Sequence, residues 1–343
     1  MIEMKGRIQL SHGAGGTIMS NLIRDVILSR ISIRKIERGV GLDEFDDGAT
    51  VPLNEEEIVV TGDAYTVSPI FFPGGDIGKL AVCGTINDLA VMGAKPIAMM
   101  DNIVVEEGFL IEDLERIIDS MNNIMKEVGV ALIHGDFKVM PKGKLDGIII
   151  SMAGLGMLYK GKPILDSGLR DGDKIIVSGS IGEHGIVIAS LREGISFKTK
   201  VVSDVAPLWN LMKRAMDAGE VTAAKDPTRG GLSMALNELA SRSNVSIWIK
   251  EEDIPINEEV KGACEMLGLD PLELACEGRA VIGVREEDAD EILKAIRGTE
   301  EGRDARIIGY VKRDRPGYVI METIVGGMRI INPPLGEPTP RIC

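Results

Sequence analysis

Residues 71–96 read FFPGGDIGKLAVCGTINDLAVMGAKP, and the fold turns on how that stretch is read. Gly74 and Gly75 free the backbone to turn, and the pattern after them predicts a helix running to Met92. That helix is apolar, yet Asn87 and Asp88 stand near its end. Aspartate favours turns, but a carboxylate inside an apolar helix needs another explanation. Ile97–Val105 then reads as extended. A helix feeding a strand in this way belongs to a layered α/β arrangement.

The alternation extends on both sides. Upstream, residues 1–40 read as a mobile glycine-rich lead with a helix at Ile18–Leu28, and Ile58–Val60 is a strand. Downstream, Ile111–Glu127 is an amphipathic helix, and Val130–Ile133 and Ile148–Leu158 are strands. Lys160–Asp173 is dense in turn signals (GKP, DSG, DGD) and marks a domain boundary. Beyond it, strands are expected at Lys174–Val177, Val245–Ile249, Ala280–Val284, Arg306–Val311 and Tyr318–Met321. Helices are expected at Gly185–Arg192, Pro207–Asp217, Leu232–Arg242, Glu258–Leu267 and Ala289–Arg297. The fold class is therefore α+β: two α/β domains at 41–159 and 160–331, then a tail at 332–343. The tail reads NPPLGEPTPRIC, and its four prolines forbid helix and sheet. Extended, it spans roughly 34 Å, against a radius of gyration of about 20 Å for such a body. It can reach a cleft on the body and also swing out to a partner.

With 343 residues, 44% of them hydrophobic, the chain can bury a core in each domain. A net charge of -14 repels nucleic-acid phosphates and anionic lipid. Aromatic residues make up only 3%, which argues against base-stacking platforms as well. No run approaches a membrane span, and the start has no apolar signal region. Cys83, Cys264, Cys276 and Cys343 show no CxxC spacing, so the setting reads as reducing cytoplasm.

Chemistry concentrates in a few places. Cys343 ends a proline-stiffened arm, and an exposed thiol is ordinarily a liability. It reads either as an incidental residue on a frayed end or as a sulfur that carries a group between sites. Prenylation is excluded, because that needs the cysteine four residues from the end. His12-Gly13-Ala14-Gly15-Gly16 and Gly74-Gly75-Asp76 each precede a helix. They can converge N–H groups on an anion, or they are plain capping loops; neither is a Walker A loop. Asp46, Asp47, Asp63, Asp136 and Asp226 sit in turn-like or strand-end contexts beside glycine or proline, and Asp88 sits in the helix. Magnesium takes one or two such carboxylates together with nucleotide phosphates. Lys138 and Glu277 are candidate catalysts, although residues of their kind are more often surface ion-pair partners.

Taken together, these segments resemble the superfamily of aminoimidazole-ribonucleotide (AIR) synthetase, thiamine-monophosphate kinase and selenophosphate synthetase. The resemblance rests on HGAGG (12–16), DDGA (46–49), the stretch at 71–96, GDFK (135–138) and DPTRGGL (226–232). It covers nearly the whole chain. The terminal PRIC (340–343) resembles one branch, the hydrogenase-maturation HypE family.

The resemblance implies an AIR synthetase-like (PurM-like) fold whose N-terminal domain pairs with a second copy into a β-barrel, giving a homodimer. It implies ATP-dependent dehydration of an S-carbamoyl group on Cys343 to a thiocyanate, which supplies cyanide for the iron of nickel–iron hydrogenase. The carbamoyltransferase HypF would load the sulfur, and a HypC–HypD scaffold would receive the product. Glu277 would be the base and Lys138 its catalytic partner. ATP would meet His12, Gly13, Gly15, Gly16, Gly74, Gly75, Asp76, Lys79, Asn87, Asp136 and Arg229. Mg2+ would meet Asp46, Asp47, Asp63, Asp88 and Asp226. Four positions depart from the family pattern: Gly62, His134, Phe137 and Cys276. Two alternatives stay open. A kinase or ligase acting on a free small molecule would turn over ATP without Cys343, and a carbamoyl carrier would use no ATP.

Overall fold

The structure, a computed structural model, describes residues 7–194, 201–336 and 341–343. The first six residues of the lead and residues 337–340 of the tail lie outside the described residues.

The lead forms α1 (Gly16–Leu22), shorter than the expected helix because it loosens to a π turn at Ile23–Ile27 and tightens to a 3-10 turn at Leu28–Arg30. The first unit then runs β1 (Ala49–Leu53), β2 (Glu56–Tyr65), a small ribbon of β3 (Phe71–Phe72) and β4 (Gly75–Asp76), α2 (Ile77–Val91), β5 (Ala94–Glu106), α3 (Ile111–Val128), β6 (Ala131–Met140) and β7 (Ile148–Leu158). Its main sheet has the order β1-β2-β7-β5-β6 and is antiparallel except for β5 with β6.

Helix α2 begins where Asp76 caps it, with the carboxylate accepting from the N–H groups of Gly78 (2.8 Å) and Lys79 (3.0 Å). Every residue of the helix except Lys79 and Asp88 is buried. The glycines inside it allow close packing; a Cβ on Gly78 would lie 2.5 Å from the Ile117 carbonyl oxygen of α3. Asp88 is thus carried on a rigid, fully enclosed rod.

The second unit comprises β8 (Lys174–Val177), α4 (Glu183–Arg192), α5 (Trp209–Ala218), β9 (Val221–Lys225), α6 (Gly231–Arg242), β10 (Ser246–Lys250), α7 (Glu258–Leu267), β11 (Val281–Val284), α8 (Ala289–Arg297), β12 (Arg306–Lys312), β13 (Val319–Glu322) and β14 (Met328–Ile331). Its sheet order is β14-β13-β10-β12-β8-β11-β9, with β10 and β13 parallel. The main hydrophobic core is shared, running from α2 and β7 of the first unit into α5 and α8 of the second. It also takes in Ile342 near the tip of the tail.

Two expectations need correction. Strand β6 does not stop at Ile133 but runs to Met140, because its residues pair with Ala98–Glu106 of β5 throughout. Gly135 and Asp136 therefore sit in mid-strand and not at a turn. All ten residues of this edge strand are exposed, Leu132, Ile133, Phe137, Val139 and Met140 among them. Strands β1, β9 and β14 were not expected. No helix among the described residues is long and apolar enough to cross a membrane.

Candidate active site

Four segments bring carboxylates to one wall. Asp46 and Asp47 come from the loop before β1, Asp63 from the end of β2, Asp88 from the last turn of α2, and Asp226 from the residue after β9. All five line a single cavity of about 590 Å³, together with Thr228 and Arg229. Thr61 Oγ1 lies 2.6 Å from Asp88 Oδ2 and 3.0 Å from the Asp47 carbonyl oxygen, tying β2 to α2 and to the loop. Burial pushes the Asp47, Asp88 and Asp226 carboxyls above the usual range, and repulsion among them and Asp63 adds to it. Asp46 is pushed up to about 6, chiefly by burial, although its Oδ1 accepts from the Asp166 N–H at 2.7 Å.

One cation of this region is Lys225. Its Nζ lies 2.5 Å from Asp47, 3.1 Å from Asp166 and 3.4 Å from Glu238. Burial alone would lower its pKa, but the three carboxylates outweigh burial and hold it well above the usual lysine value. Lys225 and Arg229 are outnumbered by the carboxylates around them, which leaves negative charge uncompensated. Among the described residues no three His, Cys, Asp or Glu side chains are assembled to hold a metal by themselves. Mg2+ does not require that, since it keeps waters and phosphate oxygens in its shell. The hard-oxygen donors and their charge deficit fit such an ion.

Glu277 stands in the loop before β11 and is 2% exposed. Its Oε1 has no hydrogen-bond partner among the described residues. Burial, then Asp226 and Asp204, raise its pKa well above the carboxylate range, while Arg229 pulls the other way. The backbone beside it is locked. Asn87 Nδ2 donates to the Glu277 carbonyl oxygen at 3.1 Å, and a Cβ on Gly278 would fall 1.9 Å from the Asp204 carbonyl oxygen.

Arg229 joins the parts. It lines the aspartate cavity, the adjoining space beside Gly15 and Gly16, and a third cavity of about 500 Å³ that holds Gly13, Arg341, Ile342 and Cys343. Its guanidinium donates to Cys343 Sγ at 3.3 Å. Cys343 first, and then Asp63 and Glu277 against the opposing effect of burial, raise the pKa of this guanidinium further. The sulfur, the buried acid and the aspartate wall thus share one cation.

The sequence matches the N-terminal domain of AIR synthase related proteins over residues 45–158 and their C-terminal domain over 170–322. A putative hydrogenase expression/formation protein of Methanocaldococcus jannaschii is 52% identical over 98% of this chain and 100% of its own length. The carbamoyl dehydratase HypE of Rhizobium leguminosarum bv. viciae is 46% identical over 98% of this chain and 95% of its own. The chain belongs to the HypE family. A chain from the crystal structure of a HypE–HypF complex superposes with a TM-score of 0.85 at 42% identity, covering 91% of this chain and 99% of that one. HypE crystallised with ATP gives 0.82 at 38%, covering 97% and 99%.

Within this HypE-family chain the expected site residues divide. Asp46, Asp47, Asp63, Asp88, Asp226, Arg229, Gly13, Gly15, Gly16 and Cys343 line the three cavities that Arg229 borders. Gly15 has φ +75°, and a Cβ there would lie 2.7 Å from Arg229 Cβ, so the loop hugs that arginine. The N–H groups expected to cradle an anion at this turn have other partners: Thr17 donates to the Pro334 carbonyl oxygen (3.1 Å) and Ile18 to that of Leu335 (3.3 Å). His12 Nδ1 accepts from the Gln9 N–H at 3.0 Å.

Other expected residues stand elsewhere. Asp76 is the cap of α2, and a Cβ on Gly74 would strike the Ser203 backbone, so Gly74 and Gly75 pack against the second unit instead of framing an open cradle. Lys79 donates to the Gly74 carbonyl oxygen and faces a separate cavity with Glu183 and Arg279. Asn87 Nδ2 donates to Ala206 O and Glu277 O, so it ties α2 to the second unit. Lys138 and Asp136 pair with each other on the exposed β6 and line none of the three cavities. Sequence reasoning missed Lys225, Asp166 and Glu238 around Asp47, and Thr66, His184 and Arg192 around the tail. Lys225, directly before Asp226, carried a local signal; the others meet the site only through tertiary packing.

Proposed function

We propose that this chain dehydrates an S-carbamoyl group on its own Cys343 to a thiocyanate at the expense of ATP. The observation that carries the reading is the seat of the Cys343 sulfur, 3.3 Å from Arg229, whose side chain also lines the cavity of the aspartate wall. Relatives named carbamoyl dehydratase HypE, and a HypE crystallised with ATP, support it.

Hydroxide is a poor leaving group, so the amide oxygen must first be phosphorylated. The carbonyl oxygen takes the γ-phosphoryl group, ADP departs, and one N–H proton is lost. Removal of the second N–H proton as the C–O bond breaks yields S–C≡N and inorganic phosphate. Glu277 takes that proton from its carboxylate form, which burial disfavours and the Arg229 guanidinium favours. Arg229 steadies the sulfur end and offsets charge developing beside it. Asp47, Asp63, Asp88 and Asp226, with Asp46 behind them, would hold Mg2+, which would neutralise phosphate charge when bound. Lys138 and Asp136 enter this scheme through a homodimer in which the exposed β6 of one copy meets the cleft of the other. HypF loads the sulfur, a HypC–HypD scaffold takes the cyanide, and the cycle runs in the cytoplasm; a relative solved with HypF supports the first of these.

The test is direct. Carbamoylated full-length protein given Mg-ATP should lose the mass of one water in intact-mass analysis, and Cys343→Ala should show no such change. Retention of the full carbamoyl mass with ATP present would remove the dehydratase reading.

A further inference from the structure

The tip of the tail is held from two sides that differ in kind. On one side lies the segment after β2. Thr66 N–H and Oγ1 donate to the Cys343 main-chain oxygen at 3.0 and 3.2 Å, and Ser68 N–H donates to the Arg341 carbonyl oxygen at 3.4 Å. Arg341 Nε returns a bond to the Thr66 carbonyl oxygen at 3.0 Å. The bonds to the two carbonyl oxygens are to main chain and do not depend on the tail's side chains, while the Arg341 guanidinium adds a contact of its own. A slip by one residue would shift the tip by about 3.3 Å and turn the sulfur to the opposite face. The main-chain bonds therefore hold the tail without fixing its register, which is left to side chains.

On the other side lies α4. His184 is fully buried, and its Nε2 lies 2.8 Å from the Ile342 carbonyl oxygen. A carbonyl can only accept, so Nε2 carries the proton. Nδ1 then accepts from the Ser203 hydroxyl at 2.7 Å, and that oxygen in turn accepts from the Val205 N–H at 3.2 Å. The Phe72 ring packs edge-on against the imidazole at 5.2 Å and fixes its plane. Every hydrogen-bonding group around the ring is thus satisfied in one tautomer. The Ile342 side chain, 1% exposed, is sunk in the main core. Only one register buries Ile342 and gives His184 its acceptor.

We propose that His184 is a positioning residue for the dehydration, acting with the Ile342 socket as the register lock that aims Cys343 Sγ at Arg229. This deepens the reading of Cys343 as carrier and rests on it for the catalytic part alone. Burial lowers the His184 pKa, which keeps the ring neutral at neutral pH as the lock requires.

The experiment uses the full-length protein with two readouts. The first is the rate at which iodoacetamide alkylates Cys343 without ATP or cargo; the other three cysteines are buried, so this thiol reports alone. The second is single-turnover loss of water from the carbamoylated tail at saturating Mg-ATP, with ATP affinity measured alongside. His184→Leu and Ile342→Ala should each raise alkylation about tenfold or more, the scale set by losing most of one buried aliphatic side chain or its fixed partner. Dehydration should slow by a similar factor while ATP affinity stays within about twofold of wild type, a split that general unfolding does not produce. His184→Gln, which keeps a donor, and Ile342→Val should recover most of both rates. Ile342→Ala, at the chain tip, keeps the test sound if His184→Leu folds poorly. Unchanged alkylation in both disruptive variants overturns the lock. If wild type loses no water, the dehydratase reading fails while the alkylation result still judges the lock.

Discussion

At the scale of single residues, the site is a problem in burying charge. Glu277 is an acid with its ionised form disfavoured, so its folded pKa exceeds the unfolded value of about 4.3. Its contribution to stability is fully present below the unfolded pKa and is lost as pH rises through the folded one. Glu277→Gln stays neutral throughout. Wild-type melting temperature should therefore fall relative to Glu277→Gln as pH rises above the unfolded value, a trend read by thermal scans; a constant difference would mean that the carboxylate ionises freely. Lys225 poses the converse case. Lys225→Met leaves Asp47, Asp166 and Glu238 without their cation. A loss of about 3–5 kcal/mol at neutral pH is expected from urea denaturation. The loss should shrink as pH falls and the stranded carboxylates take up protons.

At the scale of elements, what could be read from sequence depended on whether local pattern or distant pairing decides the structure. Helices α7 and α8 and strands β7 and β8 stand at the expected residues, because periodicity and flanking turns define them. Strand β9, VTAAK, is too short and too mildly apolar to announce itself, and it forms because β11 lies beside it. Strand β6 runs through a Gly-Asp pair that reads as a turn, since its partner β5 supplies the hydrogen bonds. The same division applies to the cleft. Asp88 stood out because a carboxylate in an apolar helix is anomalous, whereas His184 looked like any residue near a helix start. The glycines at 74 and 75 pack closely in the structure, and close packing and anion cradling leave the same trace in sequence. Strand β6 also bears on assembly. An exposed edge carrying Ile133, Phe137 and Val139 is a liability in a lone chain. Ile133→Lys combined with Phe137→Glu should convert a homodimer to monomer in sedimentation velocity; a double variant that sediments like wild type places the dimer contact elsewhere.

At the scale of the whole molecule, the two units act as one body because the main core crosses between them. The cleft is accordingly a fixed mould, and the described parts of the tail are docked against it. The tail's base is fastened where Ser233 Oγ donates to the Asn332 carbonyl oxygen (2.9 Å) and where Pro334 and Leu335 meet the start of α1. Its tip is fastened by Thr66, His184 and the Ile342 socket.

The buried Ile342 has a bearing on whatever protein collects the cargo. Withdrawing that side chain exposes apolar surface worth about 1.5–3 kcal/mol and leaves a greasy vacancy that water fills poorly. An outstretched arm is then drawn home unless its isoleucine finds a comparable berth. A successful receiver must therefore grip the residue beside the sulfur as firmly as it handles the sulfur's burden.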